Sequence, residues 1–183
     1  MSSQVPTLRT KRLTLRPITE EDEPALVAVL GDFEVARNLA FATHPFTSDD
    51  AAKFVCFVSR QQAQGSAANW AIEDGGLIGF VGCGKTPMHE DGDVEFGYFL
   101  ARNKWGRGLI TEAARAALDH VFATLGFERT AAGHAKDNLA SARVLSKLGF
   151  KAAEEGEAFY RARGRNISRV RLRLDRADWV IKR

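Results

Sequence analysis

A glycine pair that runs straight into an amphipathic helix limits what this chain can become more than any other stretch of it. In Trp105-Gly-Arg-Gly-Leu-Ile-Thr-Glu-Ala113, Gly106 and Gly108 can take backbone angles closed to other residues, and neither carries a side chain that would block a ligand. From Leu109 the apolar positions Ile110, Ala113, Ala114, Ala117, Leu118, Val121, Phe122 and Leu125 recur at helical spacing, until Gly126 offers a stop. A helix start presents unbonded N–H groups and a partial positive charge. A glycine loop aimed at one is an anion seat, suited to phosphate oxygens.

A second glycine run, Gly79-Phe-Val-Gly-Cys-Gly-Lys-Thr86, carries the letters of a nucleoside-triphosphate loop. Such a loop must open a helix, but Thr86 is followed by Pro-Met-His-Glu-Asp-Gly-Asp, which reads as a turn. Nor does the next strand end in an aspartate for Mg²⁺, since Phe96 to Leu100 leads into Ala101 and Arg102. The run reads as a strand and hairpin, and an NTPase using it is the opposing reading, which Mg²⁺-dependent ATP binding would reveal.

The 183 residues, 45% hydrophobic and 27% charged with five prolines, fit one globular domain spanning 1–183. The polar opening Met-Ser-Ser-Gln-Val-Pro and the lack of an apolar run near the ~20 residues that span a bilayer predict a cytoplasmic protein without a membrane partner. Cys56 and Cys83 lack zinc spacing and are expected to be reduced and buried. His44, His89, His120 and His134 are too scattered for a metal site, so none is predicted. A net charge of +3 is too mild to imply nucleic acid, although seven arginines lie between Arg161 and Arg176. There Val170, Leu172 and Leu174 alternate with Arg169, Arg171 and Arg173, the pattern of a half-buried strand with a solvated arginine face.

Along the chain, a first strand is expected over Arg12 to Ile18, then a helix with Leu26, Val29 and Leu30 inward, ended by Gly31. A loop from Asp32 to Phe46 follows, and Thr47-x-x-Asp50 opens a second helix that ends before Gly65. Strands are expected at Asn69 to Glu73, Leu77 to Lys85 and Asp93 to Ala101. After the long helix come a strand at Arg129 to Lys136, a helix from Asn138 or Leu139 to Leu148, and strands at Lys151 to Tyr160 and Ile167 to Leu174.

In that order the elements resemble the GNAT superfamily of N-acetyltransferases, and within it the RimJ/RimL type that acts on ribosomal proteins. The specific pieces are Glu95-Phe-Gly-Tyr-Phe-Leu100, Trp105 to Ala113, and Asn138-Leu-Ala-Ser-Ala-Arg-Val-Leu-Ser-Lys-Leu-Gly-Phe150, and the likeness runs from Thr10-Lys-Arg-Leu to Asp178-Trp179. The resemblance implies an α/β (α+β) GNAT fold, a splayed, mostly antiparallel sheet of about seven strands with about four helices. It implies acetyl-CoA as cosubstrate, with its pyrophosphate on the backbone of Lys104, Trp105, Gly106, Arg107, Gly108, Leu109 and Ile110. Asn103 stands where the family pattern has Gln or Arg. Lys104 and Arg107 either add charge to the seat or remain solvated, and Trp105 either packs the loop or meets the ligand. Phe99, Leu100 and Ala101 would offer backbone groups to the pantetheine arm as to an added strand. Asn138 would bond that arm, cap its helix, or both, and Arg143 completes the cofactor set.

Direct acetyl transfer needs a neutral amine, a stabilised oxyanion and a proton for the departing thiolate. Glu95, on the strand that reaches the cleft, is the candidate base, acting directly with a raised pKa or through water; the alternative is an exposed strand carboxylate. Ser141 matches the serine that the RimJ/RimL branch uses as acid, in a helix where other GNAT enzymes place a tyrosine and this chain has Leu145. The alternative is a capping hydroxyl, with Tyr98 in reserve. Cys83, His120 and His134 read as structural, whereas His44 sits with Phe41 and Phe46 in the loop that shapes the acceptor pocket. The acceptor itself stays open among the N-terminus of a ribosomal or other protein, an amino acid, a polyamine and an antibiotic. A noncatalytic acyl-CoA-binding module and a homodimer also fit.

Overall fold

The computed structural model describes residues 5–85 and 94–181 of the chain. Thr86, the predicted turn Pro87 to Gly92 with His89, and Asp93 lie outside the described residues.

Eight strands form one sheet in the order β1-β2-β3-β4-β5-β6-β8-β7. An antiparallel block is built by β1 (Leu8–Arg9), β2 (Thr14–Arg16), β3 (Ala67–Glu73), β4 (Leu77–Lys85) and β5 (Val94–Leu100). β6 (Arg129–Ala135) runs parallel to β5, and β8 (Arg165–Asp175) inserts antiparallel between β6 and β7 (Lys151–Tyr160). The helices are α1 (Glu23–Leu30), α2 (Phe33–Ala36), α3 (Ser48–Ala63), α4 (Leu109–Thr124), α5 (Leu139–Leu148) and α6 (Arg176–Ile181). Among the described residues no helix is long and apolar enough to cross a membrane.

The chain thus has the mixed, splayed sheet of the expected fold class, with one strand and two helices more than expected. The additions β1, α2 and α6 are each too short to show a period. Of the strand expected over Arg12 to Ile18, only Thr14–Arg16 joins the ladder; Pro17, without an N–H, cannot extend it. The expected capping box at Thr47 is present, with Thr47 N–H donating to Asp50 Oδ2 at 2.9 Å and Asp50 N–H donating to Thr47 Oγ1 at 3.3 Å.

Side chains alternate across β5, and that alternation divides the interior in two. Val94, Phe96 and Leu100 join Trp70, Phe122, Leu145 and Trp179 beneath α4, α5 and α6. Phe99 faces the other way, with Phe80, Leu26, Val55 and Val58 beneath α1 and α3. Among the described residues β5 and β6 pair only at Val94 with Thr130 and at Glu95 with Ala131. Beyond that step β5 runs on to Leu100 and β6 to Ala135 without bonding each other. The sheet therefore opens in a V at their carboxyl ends, and its arms present backbone groups that the ladder leaves unpaired.

Two expectations fail. The arginine face of β8 is not a wet face: Arg171 is 8% exposed, with Nη1 2.9 Å from Glu154, and Arg169 lies 2.6 Å from Glu95. β8 is an interior strand, so a carboxylate on β7 and, reached over Gly133 of β6, one on β5 stand where alternation alone suggests water. Cys56 is exposed rather than buried, because helical phase turns it about 100° away from Val55 on the inward stripe of α3. Cys83 is buried as expected. The triphosphate-like run from Gly79 to Lys85 lies wholly inside β4, paired on both sides, so its N–H groups serve the ladder and cradle no phosphate.

Candidate active site

The glycine loop leaves the end of β5 through a 3₁₀ turn at Arg102–Lys104 and enters α4 at Gly108. Gly106 and Gly108 have φ of +74° and +75°, the left-handed conformation that favours glycine, and Gly108 is the N-cap of α4. The Trp105 indole N–H donates to Leu100 O at 2.7 Å while its ring stays 42% exposed, so the tryptophan fastens the loop to the sheet. Lys104 is neither free nor merely solvated: its Nζ lies 2.8 Å from Asp74 in the β3–β4 turn, and that bond holds the Asp74 carboxyl below its usual range. Arg107 and Asn103 are exposed on the rim, and nothing in the structure explains Asn103.

A clamp that sequence reasoning missed braces this loop. Glu112, in the first turn of α4, accepts from Thr10 Oγ1 at 2.7 Å, from Arg12 N–H at 2.8 Å and from Arg12 Nε at 2.7 Å. Arg12 Nη1 then donates to Arg107 O at 2.9 Å, tying the middle of the loop to the N-terminal segment. Burial works against the Glu112 charge, but the Thr10 and Arg12 bonds outweigh it and hold the carboxyl below its usual range. An acid in the first turn of a helix is a readable signal. Its partner a hundred residues upstream is not.

At the V, backbone direction decides which groups face the gap. Of the expected Phe99, Leu100 and Ala101, only Leu100 faces the open side: Ala101 N–H donates to Ile78 O on β4 and its carbonyl accepts from Lys104 N–H, and by strand alternation Phe99 also bonds β4, so Tyr98 joins Leu100 at the gap. Across the gap, Asn138 caps α5 by accepting from Ser141 N–H at 3.1 Å, which leaves its NH₂ as the donor for a ligand. The Tyr98 hydroxyl lies 2.9 Å from Ser141 Oγ and joins β5 to α5. Burial pushes the Tyr98 hydroxyl up to about 12 against the opposing pull of the Ser141 bond, so it remains protonated at neutral pH. Arg143 is exposed on α5, where it lines a shallow groove with Leu139, Ala142, Ser146 and Lys147.

Glu95 stands at the fork of the V on the opposite face from Tyr98 and Ser141. Arg169 Nη2 lies 2.6 Å from its Oε1, and the guanidinium rests on Gly133, where a methyl group would collide with it. The β7–β8 turn closes this side. Arg163, its side chain 6% exposed, donates through both terminal nitrogens to Asp137 at 2.6 and 3.0 Å, and through Nε to Arg37 O at 2.7 Å. It therefore fastens the segment after α2 to the residue before Asn138. In that segment His44 packs edge-on against Phe33, and Phe41 stacks on Phe54. His120 packs edge-on against Trp70, and His134 is buried with Nδ1 at 2.8 Å from Ala135 O. A thioester passing through the V would thus meet hydroxyls on one face and a carboxylate on the other, with its phosphates at the start of α4.

A glycine turn at the start of a long helix, set beside an opened strand pair, is an architecture suited to a two-substrate transferase. A family model for the acetyltransferase (GNAT) domain matches residues 12–151. The chain is 32% identical over 165 residues to uncharacterized N-acetyltransferase p20 of Bacillus licheniformis, covering 88% of this chain and 91% of that protein. Its fold is similar to that of the ribosomal-protein-S5-alanine acetyltransferase from Vibrio fischeri, with a TM-score of 0.76, 20% identity, and coverage of 95% of this chain and 98% of that one. It is also similar to Mycobacterium smegmatis RimJ in complex with CoA-disulfide, with a TM-score of 0.75, 18% identity, and coverage of 97% and 93%. The chain belongs to the GNAT acetyltransferase family and is an acyltransferase.

Because Gly108 holds a left-handed N-cap, Gly108→Ala is expected to cost about 1–2 kcal/mol of stability and to raise the KM for acetyl-CoA more than it lowers kcat. Urea denaturation with initial-rate kinetics checks both parts.

Proposed function

We propose that this protein moves an acetyl group from acetyl-CoA directly to the N-terminal amine of a protein or peptide, with no enzyme-bound acyl intermediate. The observation that carries this reading is the V between β5 and β6, with Glu95 at its fork and the Tyr98–Ser141 pair joining β5 to α5. The pyrophosphate sits on the backbone N–H groups of Gly106 to Ile110, since those of Lys104 and Trp105 bond Ala101 O and Arg102 O within the turn, and the pantetheine arm lies along the edge of β5 presented by Tyr98 and Leu100, with the Asn138 NH₂ on its other side. This pairing reproduces an added strand, as in other β-augmented ligands.

The acceptor amine attacks the thioester carbonyl carbon, forming the C–N bond, and the C–S bond then breaks. Glu95 takes the amine proton directly or through water. Ser141 donates a hydrogen bond to the sulfur as it leaves. Either hydroxyl of the Tyr98–Ser141 pair can donate, and with Tyr98 as the donor the serine hydrogen is free to turn toward the gap. A phenol near 12 cannot readily give up its own proton to a thiolate near ~8.5, so its part is to orient the serine. Glu95 releases the amine proton to solvent, the thiolate takes one from water, and the products are the amide and free thiol.

The RimJ and ribosomal-protein-S5-alanine acetyltransferase names among the structural neighbours support a protein N-terminus as acceptor. A small free amine is the second reading, favoured by the Arg163 clamp that joins two walls over the acceptor side. A protein α-amine titrates near ~7.8 against ~10.4 for lysine, so at pH 7 much more of it is neutral and ready to attack. Thiol release from acetyl-CoA over a panel of peptides, amino acids, polyamines and aminoglycosides is the test. Acetyl-CoA binding without release on any amine would overturn the reading. Ser141→Ala is expected to slow single-turnover acetylation by about 10-fold with acetyl-CoA affinity unchanged, checked by rapid quench and calorimetry.

A further inference from the structure

On the sheet face that carries Glu95, a buried donor on β3 has no hydrogen-bond partner among the described residues. Asn69 on β3 is 5% exposed, and its Nδ2 is buried without a hydrogen bond. Buried side-chain donors are nearly always bonded, so an unmatched one marks a bond made when something arrives. Neighbouring strands fix its direction. Asn69 is the register partner of Gly82 on β4, and its amide lies over that glycine so closely that a methyl there would collide with it. The amide therefore reaches across β4 toward β5. There the partner of Gly82 is Gly97, and a side chain at Gly97 would meet nothing within 4 Å. Glu95 lies two residues before Gly97 on the same face. Amide, open space and carboxylate are neighbours, one strand spacing of about 4.8 Å and one two-residue repeat of about 6.8 Å apart.

We infer that Asn69 binds the acceptor through the carbonyl oxygen adjacent to the reacting amine, in a subsite floored by Gly82 and Gly97. The inference rests on the transfer reading, with Glu95 at the amine. An NH₂ donor needs an oxygen, and the short span to Glu95 requires that oxygen close to the nitrogen. An α-amino carbonyl, in a peptide N-terminus or a free amino acid, meets both demands. A polyamine supplies amines and no oxygen, and leaves the donor unmatched. Sites built to bond a polar group strongly reject analogues that lack it.

The test uses two probes, trialanine and sec-butylamine, the second with an amine on a branched carbon and no carbonyl, in thiol-release kinetics with the intact chain. Wild type is expected to favour trialanine by about 100-fold or more in kcat/KM. Asn69→Ala is expected to raise the KM for trialanine by about 10-fold or more, leaving the KM for acetyl-CoA and the rate with sec-butylamine within about twofold. Its Tm should hold or rise, since the variant removes an unbonded buried donor. Gly97→Ala, which puts a methyl where the acceptor sits, is expected to raise the KM for both amines with the fold intact. An Asn69→Ala variant that keeps its trialanine kinetics, or loses both amines equally along with its Tm, overturns the assignment. So does a wild-type chain that acetylates sec-butylamine as well as trialanine, although transfer itself then stands. Release with no primary amine would overturn the transfer reading and this assignment together.

Discussion

Glu95→Gln is expected to lower kcat by about 10²- to 10⁴-fold while leaving the Kd for acetyl-CoA within about twofold. The amide fills the same volume and still offers an oxygen to Arg169, so the 2.6 Å contact has a near-isosteric replacement. What it lacks is the ability to accept a proton. Glu95 faces away from Tyr98 and Ser141, on the acceptor side of the sheet, so the cofactor seat should not register the change. Stopped-flow rates across pH, with calorimetry for cofactor affinity, separate the two effects. The wild-type rate should rise with pH as the acceptor amine loses its proton, near ~7.8 for an α-amine. A Glu95→Gln chain with the wild-type rate at every pH would remove Glu95 from the chemistry.

Replacing Arg163 with Ala should have the second-largest effect. Its guanidinium is almost wholly covered and bonds Asp137 bidentately and Arg37 O through Nε, so its loss is expected to cost about 2–3 kcal/mol. The KM for the acceptor should rise more than that for acetyl-CoA, because the wall that comes loose is the one after α2. Arg163→Lys should not restore it, since an ammonium cannot reproduce the planar fork. The Arg163 bonds hold the Asp137 carboxyl below its usual range. A lowered folded-state value stabilises the fold above the unfolded carboxylate pKa near ~3.9, and that contribution disappears as pH falls through the folded value. The stability gap between wild type and Arg163→Ala should therefore narrow on acidification below pH ~4, which urea melts across pH would follow.

The parts of the site legible in the amino-acid order are those encoded locally. The glycines and helical stripe from Trp105 to Leu125 identify the anion seat, and Asn138 followed by Ser141 marks the start of α5, because caps and periods operate over a few residues. What escaped has its partner far away. Thr10 and Arg12 meet Glu112 across about a hundred positions, and Arg163 meets Arg37 across more, so no window contains both halves. The arginines of β8 were misread for a related reason. Alternation reports that every second residue is polar, but whether water or a carboxylate faces it depends on strand order, and β8 sits between β6 and β7. Asn69 was unreadable because its meaning lies in what it lacks. Only the packed neighbours show that its amide is buried and unbonded.

The insertion of β8 between β6 and β7 bears on how the molecule is made. On the ribosome, all three members of the clamp have emerged once Glu112 is out, and the start of α4 can close against Thr10 and Arg12. At that stage β6 has not been synthesised. When it arrives, its outer edge must wait for a strand made after β7, since Arg169 and Arg163 both lie beyond residue 160. A nascent chain can thus assemble the glycine loop and its clamp before it possesses the far side of the V, with Asn138, Ser141 and the Arg163 wall. The exposed rim of β6 is the surface a stalled or truncated chain would offer to a chaperone or to another copy of itself.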